Sequence, residues 1–353
     1  MAHPANPMDS YHNAVNPLPI TSTTTTISNI ELTIYGLTTL PPNTTHLSIL
    51  WLLHPRLATA QTMSHIAAEA LTTYRTRAKP TSPALIAIAF DQRNHGTRST
   101  TALINETWKA GNKTHAEDMY ATYTGTATDL SHLIRSISTH LPITPSQHLV
   151  LGVSLGAHAA WHAILHDPLV SAAAIIIGCP DFARLMAHRA SKSKLNDWSS
   201  SLVPGSTFFG SASFPDALID KIDTRDPAGL LLPVAAKATT MAPLAVPVGD
   251  ALQPEKRAYS RQRLNRTVKG KAVLNVSGGK DKLVPYGCSK PFVTYLQNAV
   301  GSGGWWGEKM YFKDVIVPGA GHETTPEMMA MSVDFVCKVL LGEIQTEAGK
   351  GKL

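Results

Sequence analysis

Leu149-Val150-Leu151-Gly152-Val153-Ser154-Leu155-Gly156 is the stretch that decides how this chain is read. A short apolar run ends in a serine between two glycines, and small helix-forming residues follow at once (Ala157, Ala159, Ala160, Ala163). The pattern predicts strand, sharp turn, helix. A turn this tight forces its central residue into a strained backbone conformation, and glycine at 152 and 156 removes side chains that would collide with strand and helix. Ser154 is thereby lifted clear of the sheet. The amide of Leu155, opening the helix, points toward whatever Ser154 attacks and is the first candidate donor to a developing oxyanion.

The rest of the chain repeats the strand-then-helix unit. His46 to Leu53 is a nearly unbroken apolar run, as suits a strand buried on both faces of a parallel sheet. A helix over 62–77, a strand over 84–90 and a long helix over 114–140 come before the serine strand, and Gly125 predicts a kink or break in the long helix. Strands over 171–177, 271–276 and 310–317 and helices over 291–300 and 326–341 follow. Between Phe182 and Gly270 the rhythm breaks into helix-like pieces separated by Pro and Gly, which reads as an insertion. The expected architecture is α/β, a mostly parallel central sheet with helices on both faces and a small helical cap insertion. Its divisions are a polar, flexible leader (1–26), a core (27–181 and 271–341), the cap (182–270) and a tail (342–353).

In an open parallel sheet, ligands bind beyond the carboxyl ends of the strands. Ser154, Asp281 and His322 each sit just past the end of a different predicted strand, so all three can meet at one edge. A serine hydroxyl needs an imidazole to take its proton, and the imidazole needs a carboxylate to hold its tautomer and stabilise its charged form.

These motifs resemble the α/β-hydrolase fold. Gly152-Val153-Ser154-Leu155-Gly156 matches its nucleophile elbow, and Asp91-Gln92-Arg93-Asn94-His95-Gly96 resembles the Asp-x-Arg-Gly-His-Gly turn of many relatives. Gly278-Gly279-Lys280-Asp281-Lys282-Leu283-Val284-Pro285 resembles the acid loop, and Gly319-Ala320-Gly321-His322 the histidine loop. The resemblance covers roughly residues 27–341 and extends to small carboxylesterases and lipases. It implies Ser154 as nucleophile, His322 as general base and then acid, Asp281 as the orienting carboxylate, and no cofactor. Two positions depart from the pattern. His54-Pro55 replaces His-Gly, and proline has no amide hydrogen, so the second oxyanion donor is sought at the amides of Arg56 and Leu57; Ala157 replaces a glycine after the elbow.

The resulting expectation is a serine hydrolase that cleaves a small-molecule carboxylic ester or thioester through an acyl-enzyme. An acyltransferase or peptidase with the same triad, or a non-catalytic ligand-binding protein of the same fold, are the alternatives. Apolar stretches in the cap, 230–235 and 241–248, suggest a substrate with hydrophobic bulk.

Other groups are weighed against these. Asp181 follows the next strand and is an alternative acid; Asp91, Arg93 and His95 read as turn-stabilising. His158, His162 and His166 share a helical face, but Ala159 stands where a His-Glu-x-x-His metal motif has glutamate, so the face reads as packing and no metal site is assigned. Cys179 reads as a small buried hydrophobe, and Trp305 and Trp306 as packing residues.

Composition bounds the reading. The chain has 353 residues, 43% hydrophobic and 16% charged, with a formal net charge of +6. That describes a globular protein with ample core. The dense basic cluster (Lys256, Arg257, Arg261, Arg263, Arg266, Lys269, Lys271) reads as a solvated face rather than a nucleic-acid site. Cys179, Cys288 and Cys337 are too few and scattered for a disulfide framework. No signal-like core or membrane-length apolar run is evident, so the expected location is cytoplasmic. The Gly351-Lys352-Leu353 ending raises a peroxisomal address as the alternative. Oligomeric state is not legible in the sequence.

Overall fold

The structure, a computed structural model, describes residues 6–232, 254–301, 303–307 and 309–347. The apolar runs form the strands of one eight-stranded sheet: β1 Ser22–Ile27, β2 Ile30–Tyr35, β3 Leu47–Leu53, β4 Ala84–Phe90, β5 Pro145–Val153, β6 Val170–Ile176, β7 Ala272–Gly278 and β8 Tyr311–Val317. Their order is β1-β2-β4-β3-β5-β6-β7-β8. β1 and β2 form an antiparallel hairpin, β2 runs antiparallel to β4, and the remaining neighbours are parallel. The described helices are α1 Asp9–Ala14, α2 Ser64–Arg77, α3 His115–Ser136, α4 Leu155–His166, α5 Phe182–Ser193, α6 Asn196–Ser199, α7 Asp216–Arg225, α8 Pro227–Leu231, α9 Pro254–Thr267, α10 Tyr286–Val300 and α11 Pro326–Leu340.

Alternation along each strand divides the core into two layers. Ile49, Trp51 and Leu53 of β3 face the layer that holds residues of α3, α4 and α10, whereas Leu50 and Leu52 face the layer of α1, α2 and α11. Every residue of β3 is buried. The alanines of β6, Ala172 to Ala174, keep its surface low on both faces, and α4 packs on one side while α11 packs on the other.

Four local expectations are revised. β1 is a strand made almost wholly of threonine, whose branched Cβ favours extended backbone even though it is not apolar. α3 runs unbroken through Gly125: the missing side chain makes room for Arg93, whose guanidinium atoms would lie 2.5 Å from a Cβ there. Arg93 then reaches Asp129, one turn on, through two bonds of 3.0 and 2.8 Å. The leader is not free over residues 6–14, because Met8 and Tyr11 are fully buried and the Tyr11 hydroxyl bonds Glu69 of α2. Lys271 leaves the solvated basic face: it is buried and donates from Nζ to the carbonyls of Ile164 (2.6 Å) and Asp167 (2.7 Å), closing the end of α4.

The described residues of the 182–270 insertion are helical apart from turns and one isolated bridge, Ser211 to Phe214. Phe182, Phe208, Phe214, Leu218 and Ile222 belong to the same apolar layer as α3 and α4, so this part is fused to the core. Leu231 and Leu232 are buried, while 233–235, the stretch 241–248 and the terminal Gly351-Lys352-Leu353 lie outside the described residues. No helix among the described residues is long and apolar enough to cross a membrane.

Five buried histidines carry a pH consequence. Burial pushes the imidazoles of His54 and His148 down to about 4, and those of His115, His158 and His162 down to about 3, from an ordinary 6.5. Unfolded, they take up protons near 6.5; folded, they do so only near 3 to 4. Their contribution is therefore full above pH 6.5 and is lost as pH falls through the folded values. Melting temperature is expected to fall between pH 7 and about pH 5, the five histidines outweighing the buried carboxyls of Asp181 and Asp226, which burial pushes up to about 7 and about 8 and which favour the fold as pH falls; a flat profile there in a thermal-shift series would contradict it. Separately, Tyr11→Ala should cost about 3 kcal/mol in denaturant unfolding, and an unchanged midpoint would mean that α1 does not dock.

Candidate active site

Ser154 sits between β5 and α4 with φ 53° and ψ −111°, a conformation that an L-residue holds at a cost of about 1–3 kcal/mol. Its amide donates to the carbonyl of Ile176 on β6 (2.9 Å), and its carbonyl accepts from Ala157 (2.9 Å) and His158 (3.1 Å). The flanking glycines are required by contact. A Cβ on Gly152 would lie 2.2 Å from the carbonyl oxygen of Gly156, and one on Gly156 would lie 2.1 Å from that of Leu53. Ala157 is accommodated because the neighbour facing it is Gly178, where a Cβ would stand 2.6 Å from the Ala157 methyl.

Asp281 and His322 are brought together by two loops that lie back to back. Gly279 donates to Val317 (2.8 Å) and Lys280 to Ala320 (2.8 Å), and a Cβ on Gly278 would lie 2.3 Å from the carbonyl of Gly321. Asp281 Oδ2 is 2.7 Å from His322 Nδ1, and its Oδ1 accepts from the amides of Leu283 and Val284, both at 2.8 Å. Burial works to raise the Asp281 carboxyl, but the bond and charge of His322 and those two amides outweigh it and hold the group below the usual range. Ser154 Oγ and His322 Nε2 are 2.9 Å apart. With Nδ1–H donating to the carboxylate, Nε2 is left as an acceptor facing the Ser154 hydroxyl.

Beside Ser154 lie the ends of β3 and β5, where the sequence places its candidate oxyanion donors. Leu155 is the first residue of α4, so its amide has no intrahelical acceptor. The chain after β3 lies directly on that first turn, as the Gly156 contacts with Leu53 and His54 require. His54 is wholly buried, donates from Nδ1 to Pro55 O (2.8 Å) and accepts at Nε2 from Gln92 N (3.0 Å), so it is a neutral prop. Beyond it Leu57 adopts φ 62°, and neither the Arg56 nor the Leu57 amide bonds another group among the described residues.

The alternatives point elsewhere. Asp181 caps α5, accepting from Arg184 N (2.9 Å) and pairing with Arg184 Nε (3.0 Å), and burial pushes it up to about 7. Asp91 binds the amides of Ala60 (2.8 Å) and Thr97 (2.7 Å), and His95 donates to Arg93 O (2.9 Å), so the turn is held from within. His158 bonds Cys179 O (2.9 Å), His166 bonds Arg225 O (2.7 Å), and His162 stands 3.5 Å from Asp226, three separate destinations. Trp306 bonds Asn265 (2.9 Å) and Trp305 packs on Tyr295. Cys179 is buried, with Sγ against the carbonyl of Asp181.

Sequence reading missed Glu323. Its Oε1 accepts from Gly321 N (3.1 Å) and its Oε2 bonds Ser10, while Thr324 N donates to Pro7 O (2.6 Å). The leader thus braces the histidine loop at Glu323 and Thr324. The adjacency of Glu323 to His322 was the only signal, and nothing in the sequence pairs it with Ser10.

Gly156→Ala would drive a methyl into the Leu53 carbonyl, and is expected to destabilise by about 1–3 kcal/mol or more. An unaltered melting curve would mean the chain after β3 lies farther from α4.

A family model described as the alpha/beta hydrolase family matches residues 48–334. TT1662 from Thermus thermophilus superposes with a TM-score of 0.51 at 16% identity, over 90% of this chain and 97% of that one. Oligopeptidase B from Leishmania major gives 0.52 at 12% identity, over 92% of this chain and 37% of the peptidase. Prolyl oligopeptidase B from Galerina marginata gives 0.50 at 13%, over 95% and 37%. At these identities the likeness is one of fold, and this chain spans little more than a third of either peptidase. No curated protein matches the sequence. The matched span, well over half the chain, places this protein in the alpha/beta hydrolase family.

Proposed function

We propose that this hydrolase-family chain is a serine esterase that cleaves carboxylic esters or thioesters through an acyl-enzyme on Ser154. The observation that carries the reading is the continuous relay from Asp281 through His322 to Ser154, with bonds of 2.7 and 2.9 Å. Ser154 Oγ attacks the carbonyl carbon as His322 Nε2 takes its proton, and Asp281 stabilises the imidazolium. The carbonyl oxygen becomes an oxyanion that accepts from the Leu155 amide and from an amide at Arg56 or Leu57. His322 then returns the proton to the departing alcohol or thiol. Water then gives a proton to His322 as its oxygen bonds the acyl carbon, and collapse of this second oxyanion breaks the bond to Ser154 Oγ, which takes that proton back from His322 as the acid departs. The reading needs no cofactor, because every proton and charge has a place on the chain.

The test is covalent labelling by a fluorophosphonate, comparing wild type with Ser154→Ala and His322→Ala. Labelling is expected in the wild type and lost in both folded variants, with Asp281→Asn lowering ester turnover about 10⁴-fold. A folded wild type that resists the probe would overturn the esterase reading in favour of a ligand-binding protein. Turnover of p-nitroanilides as fast as matched p-nitrophenyl esters would move the assignment to a peptidase.

A further inference from the structure

Two arginines stand beside this site, and one of them, Arg189, has no carboxylate within ion-pair distance among the described residues. Arg189, on α5, makes its described contacts with neutral groups: Nη1 with His115 Nε2 (3.2 Å) and Met119 Sδ (3.0 Å), and Nη2 with the carbonyl of Leu283 (3.5 Å). Its Nε is buried without a partner. No carboxylate lies within ion-pair distance of it among the described residues, in contrast to Arg77, Arg93, Arg98, Arg135 and Arg184. Arg56 donates from Nη1 to the carbonyl of Asn105.

Both guanidiniums hang from one short segment. Asn105 O holds Arg56, and the next carbonyl, Glu106 O, accepts from His115 Nδ1 (2.8 Å), whose other nitrogen meets Arg189. His115 can accept from Arg189 only while neutral, and burial together with the two arginine charges keeps it so. The two arginines are close enough that their charges oppose each other. The Glu106 charge favours Arg56, while the carboxylate whose charge favours Arg189 is Asp281, which already serves His322, Leu283 and Val284.

The pair belongs to the reacting end of the sheet. Arg56 is the residue whose backbone lies on the oxyanion side, Leu283 is two residues past Asp281, and the charges of both Arg189 and His322 reach His158 in the first turn after Ser154. Arg189 and Arg56 are each partly exposed as residues rather than fully buried. A guanidinium in such a setting lacks one thing, a planar anion that accepts from its free edge.

Resting on the esterase reading, we propose that Arg189, assisted by Arg56, binds a carboxylate carried by the substrate, so that the preferred substrate is an ester or thioester with an anionic end. The acid part or the alcohol part can bear the carboxylate, and the test separates the two. Phenol release by the full-length protein is compared for p-nitrophenyl hemiglutarate against p-nitrophenyl valerate, and for 4-acetoxybenzoate against its methyl ester. On one of the two arms the anionic member should lead in kcat/KM by about tenfold or more, mostly through KM, and the lead should shrink with added salt. Arg189→Met should remove the lead and Arg189→Lys should keep part of it. If Arg189→Met does not fold, slower fluorophosphonate labelling in the presence of glutarate than of glutaramide gives the same reading. A wild type labelled at Ser154 that shows no anionic preference on either arm and no glutarate protection would overturn this inference and leave the esterase reading standing. Absence of labelling in the folded wild type would remove both.

Discussion

The contact on which the site depends is the one between the first turn of α4 and the end of β3, where Gly156 lets two backbones meet. The missing Cβ would lie 2.1 Å from the Leu53 carbonyl, so nothing larger than hydrogen fits. That approach presses Leu53 and His54 at the end of β3 onto the turn that carries Ser154 and the Leu155 amide. The strain at Ser154 is held by backbone bonds to β6 and α4, and strain so over-determined is the structural ground for proposing a function at this residue.

The remaining parts of the site are supports for loops. The acid and histidine loops share backbone bonds and a glycine-to-carbonyl contact, so Asp281 and His322 hold their spacing through main chain rather than through side-chain packing. Glu323 and the leader fix the far side of His322. On the other flank, His54 and Gln92 bond each other's backbone and side chain, which steadies the proline-bearing segment that precedes Arg56. The proline at 55 costs one amide, but the strand end is rigid enough that the next two residues keep theirs unspent.

Much of this is legible in the sequence because the same residues answer to local rules. Apolar runs gave the central strands, and glycines flanking a serine, an aspartate and a histidine marked three loops at one sheet edge. What escaped depends on long-range partners. The threonine strand β1 needed β2 to declare itself, and Gly125 looked like a helix breaker until Arg93 was seen to occupy its space. Residues 6–14 are polar enough to read as a free leader, yet Met8 and Tyr11 find a pocket supplied by helices far along the chain. Arg189 lies within a cap-like insertion, where nothing local distinguishes it from a surface arginine. Its meaning comes from His115 and Leu283, neither of which is near it in sequence.

The brace on the histidine loop joins the beginning of the chain to its end: Pro7 bonds Thr324, and Ser10 bonds Glu323 across 313 positions. Closing so long a loop costs conformational entropy that only later packing can offset. Ser10 is synthesised 313 positions before Glu323 and all eight strands lie between the two, so the brace on the loop of His322 can form only after the whole sheet has been made. The order would leave the proposed Ser154 nucleophile without its braced histidine until every strand of the sheet is available to close around it.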